Sequence, residues 1–191
     1  MSIPSALTVN AVPYQIIHLL GKGKGGYSYL AGRDGRQYVL KQLHHEPCDY
    51  YQFGDKLAAE RGDYDRLRAV GIPIPELIEV DAPNERLLKA YIPGPTIFDL
   101  VRDGRMRPEY LAQVRALSDQ ARAAGLNLDW FPTNFIPHAG RLWYVDYECN
   151  AWMDEWSLER WGLQYWSRTP EFEAYLSKRP INENDATGIR G

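Results

Sequence analysis

Residues 21–41 read GKGKGGYSYLAGRDGRQYVLK. Gly21, Gly23 and Gly26 fall in the pattern G-x-G-x-x-G, and the residues on their C-terminal side decide their use. Tyr27 to Gly32 is rich in β-forming side chains, Asp34-Gly35 is a tight-turn dipeptide, and Arg36 to Lys41 is β-forming again. The spacing predicts a hairpin. A loop that holds a pyrophosphate at a helix N-terminus must open a helix, whether of the dinucleotide-binding or the Walker kind. These glycines open a strand, and the Gly-Lys-Ser/Thr ending is missing. With YQIIHLL (14–20) before it, the loop lies between two antiparallel strands. Small residues there let backbone N–H groups come close to phosphate oxygens. Lys22 and Lys24 add positive charge at the same tip. A flexible surface turn is the competing use of the same residues.

From Asp49 to Val70 the apolar period becomes helical, with Tyr50, Phe53, Leu57, Tyr64 and Leu67 on one stripe. Glu60 lies on that stripe. An unpaired carboxylate there costs at least several kcal/mol, roughly. Lys41, ending an apolar strand, is the nearest cation in the pattern, so the two are expected to pair. Gly71 supplies a helix stop, and Pro73 and Pro75 prevent resumption. ELIEV (76–80) and RLLKAYI (86–92) read as strands around Pro83-Asn84, and Pro93-Gly94-Pro95 as a boundary. Thr96 and Asp99 form a capping-box pattern opening a short helix to Asp103. A longer helix runs from Pro108 to Ala124, with Leu111, Val114 and Leu117 inward. LNLDWFPTN (126–134) reads as a loop, Phe135-Ile136 and LWYV (142–145) as strands, and the tryptophan-rich stretch 154–179 as helical.

Asp129 and Asn134 stand five residues apart in a proline-containing loop, and the next hairpin leads to Val145-Asp146-Tyr147-Glu148. Two oxygen ligands from adjacent strand ends suit a hard cation such as Mg²⁺, which takes its other ligands from phosphate and water. A further carboxylate close by can accept a hydroxyl proton. Each residue alone also fits an Asx-turn cap.

The chain has 191 residues, 45% hydrophobic and 25% charged, with a net charge of −3. That fits a globular domain with a real core and speaks against a broad nucleic-acid-binding face. Cys48 and Cys149 share no metal-like spacing and are expected to be reduced thiols of a cytoplasmic protein. No stretch approaches the ~20 apolar residues of a membrane helix, and no signal peptide is read.

Taken in order, these landmarks resemble the protein-kinase-like superfamily. Gly21, Gly23 and Gly26 resemble its glycine-rich loop, with Ser28 where valine is usual. Val39-Leu40-Lys41 resembles the VAIK strand, and Glu60 the helix C glutamate that holds the lysine. KAYIPG (89–94) resembles the hinge, which implies that backbone groups of Ala90 and Ile92 take the adenine edge. Lys89 falls where an apolar gatekeeper is usual. Asp129 to Asn134 resembles the D-x-x-x-x-N catalytic loop, and Asp146 the DFG aspartate. The resemblance implies Asp129, Lys41 and Glu60 as catalytic residues, Asn134 and Asp146 as metal ligands, and ATP and Mg²⁺ as cofactors. It implies an α+β fold, one domain over 1–191, with an antiparallel-sheet N-lobe (about 12–92), a hinge (93–95) and a reduced helical C-lobe (96–191). Asn127-Leu128-Asp129 replaces His-Arg-Asp, Asp146-Tyr147-Glu148 replaces DFG, and no A-P-E signature is present. The chain therefore resembles minimal atypical kinases of the RIO and tRNA-modification-complex type. It is also similar to aminoglycoside and choline phosphotransferases, though far shorter.

The expected activity is transfer of the ATP γ-phosphoryl group to a hydroxyl, of a protein (itself included) as in atypical serine/threonine kinases. The alternatives are a small-molecule kinase acting on a sugar, aminoglycoside or amino-alcohol, and a pseudokinase or assembly subunit. Trp152, Trp156, Trp161 and Trp166 either pack the last helix or, with Asp154 and Glu155, face an acceptor.

Overall fold

The computed structural model describes residues 3–23, 25–45 and 55–178. Six strands form one antiparallel sheet: β1 (Ala6–Val9), β2 (Val12–Lys22), β3 (Gly26–Arg33), β4 (Arg36–Leu43), β5 (Leu77–Asp81) and β6 (Arg86–Ala90). Their spatial order is β1-β2-β3-β4-β6-β5. Asp34 (φ 51°) and Gly35 (φ 74°) both take left-handed backbone, the mirror-image turn that matches strand twist. Alternation divides the sheet into two faces. One packs Val9, Tyr14, Tyr29, Ala31, Leu40 and Leu88 together; the other carries Lys41.

Helix α1 (Lys56–Val70) connects β4 to β5. Asp55 caps it by accepting the Ala58 N–H, and Gly71, at φ 83°, ends it. The helix was expected from Asp49; residues 46–54, with Cys48, Tyr50 and Phe53, lie outside the described residues. Tyr64 and Leu67 are buried, and Leu57 is half-buried.

Beyond Pro95 come α2 (Ile97–Arg102), α3 (Pro108–Ala123) and two short ribbons. Thr96 and Asp99 close the capping box reciprocally. β7 (Leu126–Leu128) pairs with β10 (Cys149–Ala151), and β8 (Phe135–His138) with β9 (Arg141–Tyr144). Tyr64 and Leu67 of α1 share one core with Phe98, Val114, Trp130, Phe135, Tyr147 and Trp166. Each large side chain so buried stabilises by about 1.5–3 kcal/mol, so this core ties α1 to the second half of the chain.

Two expectations are corrected. The stretch 126–134 is not all loop: its first three residues are β7. Asn127 hides the strand in the sequence, yet it is buried, its Nδ2 donating to Trp156 O (2.9 Å) and its Oδ1 accepting from Trp130 Nε1 (3.1 Å). The stretch 154–179 is not one helix. Among the described residues it makes tight turns at 154–156 and 162–165, and only α4 (Pro170–Lys178) is α-helical. A Cβ on Gly162 would stand 2.6 Å from Trp130 Cβ, so close packing against that ring sets an irregular path.

Candidate active site

The sheet register brings the glycine hairpin to Lys41. Gly21 pairs with Ser28, Ser28 with Lys41, and Lys41 with Leu87, in one row across four strands. Directly opposed residues share a face, so the Ser28 and Lys41 side chains lie side by side. From α1, Glu60 reaches the same face. Its Oε2 is 2.7 Å from Lys41 Nζ, with the two side chains 9% and 14% exposed. Burial alone would lower the Lys41 pKa; the carboxylates of Glu60, Asp146 and Glu148 outweigh it and hold the ammonium above its ordinary value.

Two uses of glycine separate in the hairpin. A Cβ on Gly26 would stand 2.4 Å from Gln42 O, so the close approach of β3 to β4 requires glycine there. At Gly21 and Gly23 a Cβ would meet nothing within 4 Å. Neither fold packing nor left-handed backbone demands glycine at those two positions. The turn is closed by Gly23 N–H to Gly26 O (2.9 Å), and His44 Nε2 lies 3.2 Å from Gly23 O. Lys22 Nζ sits over the Tyr27 ring, 5.2 Å from its centroid. Lys24 lies outside the described residues.

The second half supplies the acids and the amide. Val145 N–H donates to Asn134 O (2.9 Å) just beyond the β8–β9 pairing, so Asn134 and the residue before Asp146 leave the ribbon together. Asn134 Nδ2 donates to Asp129 O (3.3 Å), and Asp129 Oδ1 accepts the Phe131 N–H (3.1 Å). The Tyr144 hydroxyl accepts the Asp129 N–H (3.2 Å) and donates to Glu148 O (2.7 Å). Asp129, Asn134 and Asp146 are half-buried, and Glu148 is exposed. Burial pushes the Asp146 pKa up, but Lys41, Lys89 and the Tyr147 and Glu148 N–H groups overcome it, and the carboxyl is held below its ordinary value. Asp146 is therefore an ionised carboxylate beside Lys41 and Lys89, and burial holds the Lys89 amine below its ordinary value in spite of Glu60 and Asp146.

Among the described residues no group of three or more His, Cys, Asp or Glu is placed to hold a metal ion by itself. Asn134 and Asp146 would offer one amide oxygen and one carboxylate. This donor set fits Mg²⁺ arriving with phosphate and water, which complete its shell, and does not fit a tightly held resident ion.

At the expected hinge, Ala90 N–H is taken by Glu76 O (2.9 Å), which leaves Ala90 its carbonyl at most for an adenine edge. Ile92 is buried. Three further contacts were not legible in the sequence. Lys89 is buried between Glu60 and the Tyr147 ring. The Tyr147 hydroxyl donates to Pro75 O (2.7 Å). Arg66 Nη2 donates to Cys149 O (2.9 Å), while Asp63 Oδ2 accepts the Cys149 N–H (3.2 Å). The sequence signals were a lysine within an apolar strand and an i,i+3 Asp–Arg pair, both without a visible partner.

No family model and no curated protein matches the chain. Among solved structures, the kinase domain of PknI from Mycobacterium tuberculosis, in a point-mutant form, matches with a TM-score of 0.49 and 22% identity. This chain is similar to a protein kinase domain. The match covers 77% of this chain and 63% of that one, so the chain spans less than two thirds of that domain.

Proposed function

We propose that this chain is a kinase-like phosphotransferase that moves the γ-phosphoryl group of ATP, with Mg²⁺, to a hydroxyl acceptor. The reading is carried by one observation: the buried Lys41–Glu60 pair lies beside the glycine hairpin and in the field of Asp146. A lysine held by a carboxylate on a neighbouring helix is a fixed cation for phosphate oxygens. The open glycines let backbone N–H groups approach the same phosphates. Asn134 and Asp146 would hold Mg²⁺, which neutralises the charge of the phosphoryl group when bound. Ala90 and Ile92 would face the adenine. In this scheme the sheet with α1 is a nucleotide-binding lobe, residues 93–95 the hinge, and the rest the acceptor lobe.

Asp129 is assigned to the acceptor. Its backbone is fixed from two sides, by Tyr144 Oη and Asn134 Nδ2, and its carboxylate remains half-buried at the open end of the ribbon. It orients the acceptor hydroxyl and takes its proton as the new P–O bond forms and the bond to the leaving ADP breaks. Positioning and charge neutralisation provide most of the rate.

The acceptor of the first reading is a serine or threonine hydroxyl, starting with the chain's own. A small-molecule alcohol is the second reading, and a specific observation favours it. Half-buried Phe131, two residues from Asp129, packs against Trp161 (6.2 Å), Tyr165 (5.0 Å) and Tyr175 (4.8 Å between centroids). Such a wall suits a ring or an alkyl cation better than an extended peptide. Asp154, one of the two acidic residues offered in the sequence as an alternative acceptor contact, forms an exposed pair with Arg160 (2.7 Å).

The test is γ-labelled ATP with Mg²⁺ and the full chain, with protein then separated from small molecules. Label on the protein, or on an added alcohol, that is lost in Asp129→Asn while ATP still raises the melting temperature supports the reading. Transfer by Asp129→Asn at the wild-type rate removes Asp129 from the chemistry. A wild-type protein whose melting temperature ATP and Mg²⁺ leave unchanged removes the nucleotide site itself.

A further inference from the structure

One register pair joins the two acidic segments of the second half. Leu128, which immediately precedes Asp129, pairs with Cys149, which immediately follows Glu148. The Tyr144 hydroxyl bridges the next two residues, Asp129 and Glu148. Whatever grips Cys149 therefore acts on the Asp129 loop and on the Asp146–Glu148 segment together.

Cys149 is buried, and its N–H and C=O point to α1 rather than to β7. In an antiparallel pair every second residue turns these groups outward, where the opposite strand cannot take them. Left unpaired in the interior they are costly. Here one helix takes both. Asp63 Oδ2 accepts the Cys149 N–H (3.2 Å), and Arg66 Nη2 donates to Cys149 O (2.9 Å). Arg66 also donates to Asp63 Oδ1, so the two side chains, neighbours on the helix surface, form a single fork. The Cys149 thiol adds a weaker contact, to Asp63 O at 3.9 Å.

Glu60 stands one turn before Asp63 on the same helix, and its Oε2 is 2.7 Å from Lys41 Nζ. What fixes the turn at 63–66 also fixes Glu60. A further contact of α1 with this segment is the Tyr64 ring on the Tyr147 ring, 5.0 Å between centroids. Apolar contact is non-directional and lets a helix turn or slide. Two hydrogen bonds to the N–H and C=O of one buried residue are directional and do not.

We propose that Asp63 and Arg66 are positioning residues, whose fork on Cys149 holds the Lys41–Glu60 pair in register with Asp146 and Asp129. The proposal rests on the phosphotransferase reading for what the register serves, and on geometry alone for the clamp. In that reading the sheet and α1 aim Lys41 at the phosphates, and the second half aims Asp146 at the metal and Asp129 at the acceptor. The clamp is a polar link between the two sets, and it acts through the Cys149 backbone.

Two measurements on the full chain test it. The first is hydrogen exchange of Asp63→Ala against wild type. Alanine favours helix more than aspartate, so a purely local effect slows exchange in α1. The clamp predicts the reverse: the α1 amides and the Cys149 amide exchange about tenfold faster, while those of β3 and β4 are unchanged. Exchange in α1 that is unchanged or slower, or that rises equally in β3 and β4, overturns the clamp. The second is ADP release from ATP and Mg²⁺, with water as acceptor, well below the melting temperatures. Lower stability reduces the folded fraction there very little and leaves the turnover of each folded molecule alone. Asp63→Ala is expected to lower kcat about tenfold and to leave the KM for ATP within about threefold. Asp63→Asn keeps an oxygen for the Cys149 N–H and is expected to recover most of the lost turnover. A kcat in Asp63→Ala within about twofold of wild type, or no recovery in Asp63→Asn, overturns the positioning role. If Asp63→Ala does not fold, Arg66→Met replaces it in both measurements, with Arg66→Lys as its conservative partner and the same outcomes. A wild type that releases no ADP and gains no thermal stability from ATP overturns the phosphotransferase reading and the catalytic use of the register with it. Hydrogen exchange then decides the clamp alone.

Discussion

The Tyr144 hydroxyl stands between Asp129, whose N–H it accepts at 3.2 Å, and Glu148, to whose carbonyl it donates at 2.7 Å. Tyr144 is completely buried, and burial, with Asp146 and Asp129 adding to it, raises its pKa well above the ordinary value. The phenol is a neutral brace that fixes the backbone on both sides of the site. Tyr144→Phe keeps the ring and strands the Asp129 N–H and one carbonyl. A stability loss of about 1–3 kcal/mol in urea unfolding is expected. If Asp129 orients an acceptor hydroxyl, turnover falls by about 10–100-fold with KM for ATP little changed, because Asp129 then loses its register with that acceptor.

The glycines of the hairpin divide into two kinds, and alanine separates them. Gly26→Ala would drive a Cβ to 2.4 Å from Gln42 O, a backbone atom that cannot rotate away. It is expected to cost about 1–3 kcal/mol of stability. Gly23→Ala meets nothing within 4 Å and is expected to leave the melting temperature within a degree or two, roughly. If the loop covers phosphates, Gly23→Ala weakens ATP binding all the same. Unchanged ATP affinity in Gly23→Ala would place the phosphates elsewhere.

The Asp146–Lys41 neighbourhood gives stability a pH dependence at both ends. The Asp146 carboxyl is held below its ordinary value in the fold, so its contribution is complete above the unfolded pKa of about 3.9 and is lost as pH falls through the folded value. Lys41 is held above its ordinary value, so its contribution is complete below about pH 10.4 and is lost as pH rises through the folded value. Asp146→Asn is expected to flatten the acid limb of stability against pH and to shrink the alkaline limb, leaving there the part that Glu60 and Glu148 supply to Lys41. A variant with the wild-type acid limb would mean that the carboxylate does not interact with Lys41.

If the rings packed on Phe131 line the acceptor site, they separate the two acceptor readings. Trp161 is half-buried and packs between Phe131 (6.2 Å), Trp156 (5.8 Å) and Tyr165 (5.6 Å). With a small alcohol as acceptor, Trp161→Ala is expected to raise the acceptor KM about tenfold and leave the KM for ATP unchanged. With the chain itself as acceptor, the same variant leaves autophosphorylation in place. Steady-state kinetics with each acceptor class separate the two readings.

Much of the fold was written locally in the chain. Asp34-Gly35 set the hairpin because both residues tolerate left-handed backbone, and Gly71 and the Thr96–Asp99 box set helix ends through their own hydrogen bonds. The pairing of Glu60 with Lys41 was also legible, since a carboxylate on an apolar stripe demands a cation and Lys41 ends the preceding strand. These are short-range rules of φ, ψ, periodicity and charge, and the order of residues is enough to apply them. Other features were settled only when distant segments met. Asn127 reads as loop chemistry, yet it is buried in β7 because Trp130 and Trp156, from opposite sides, satisfy its amide. The stretch 154–179 has helical composition, yet packing of Gly162 against Trp130 bends most of it into turns. Lys89 reads as a lysine that ought to leave its apolar strand for water. It stays inside because Glu60, Val145 O and the Tyr147 ring, from three other segments, converge on its ammonium. No local pattern encodes that convergence, because a buried charge is made tolerable only by partners the fold brings from a distance.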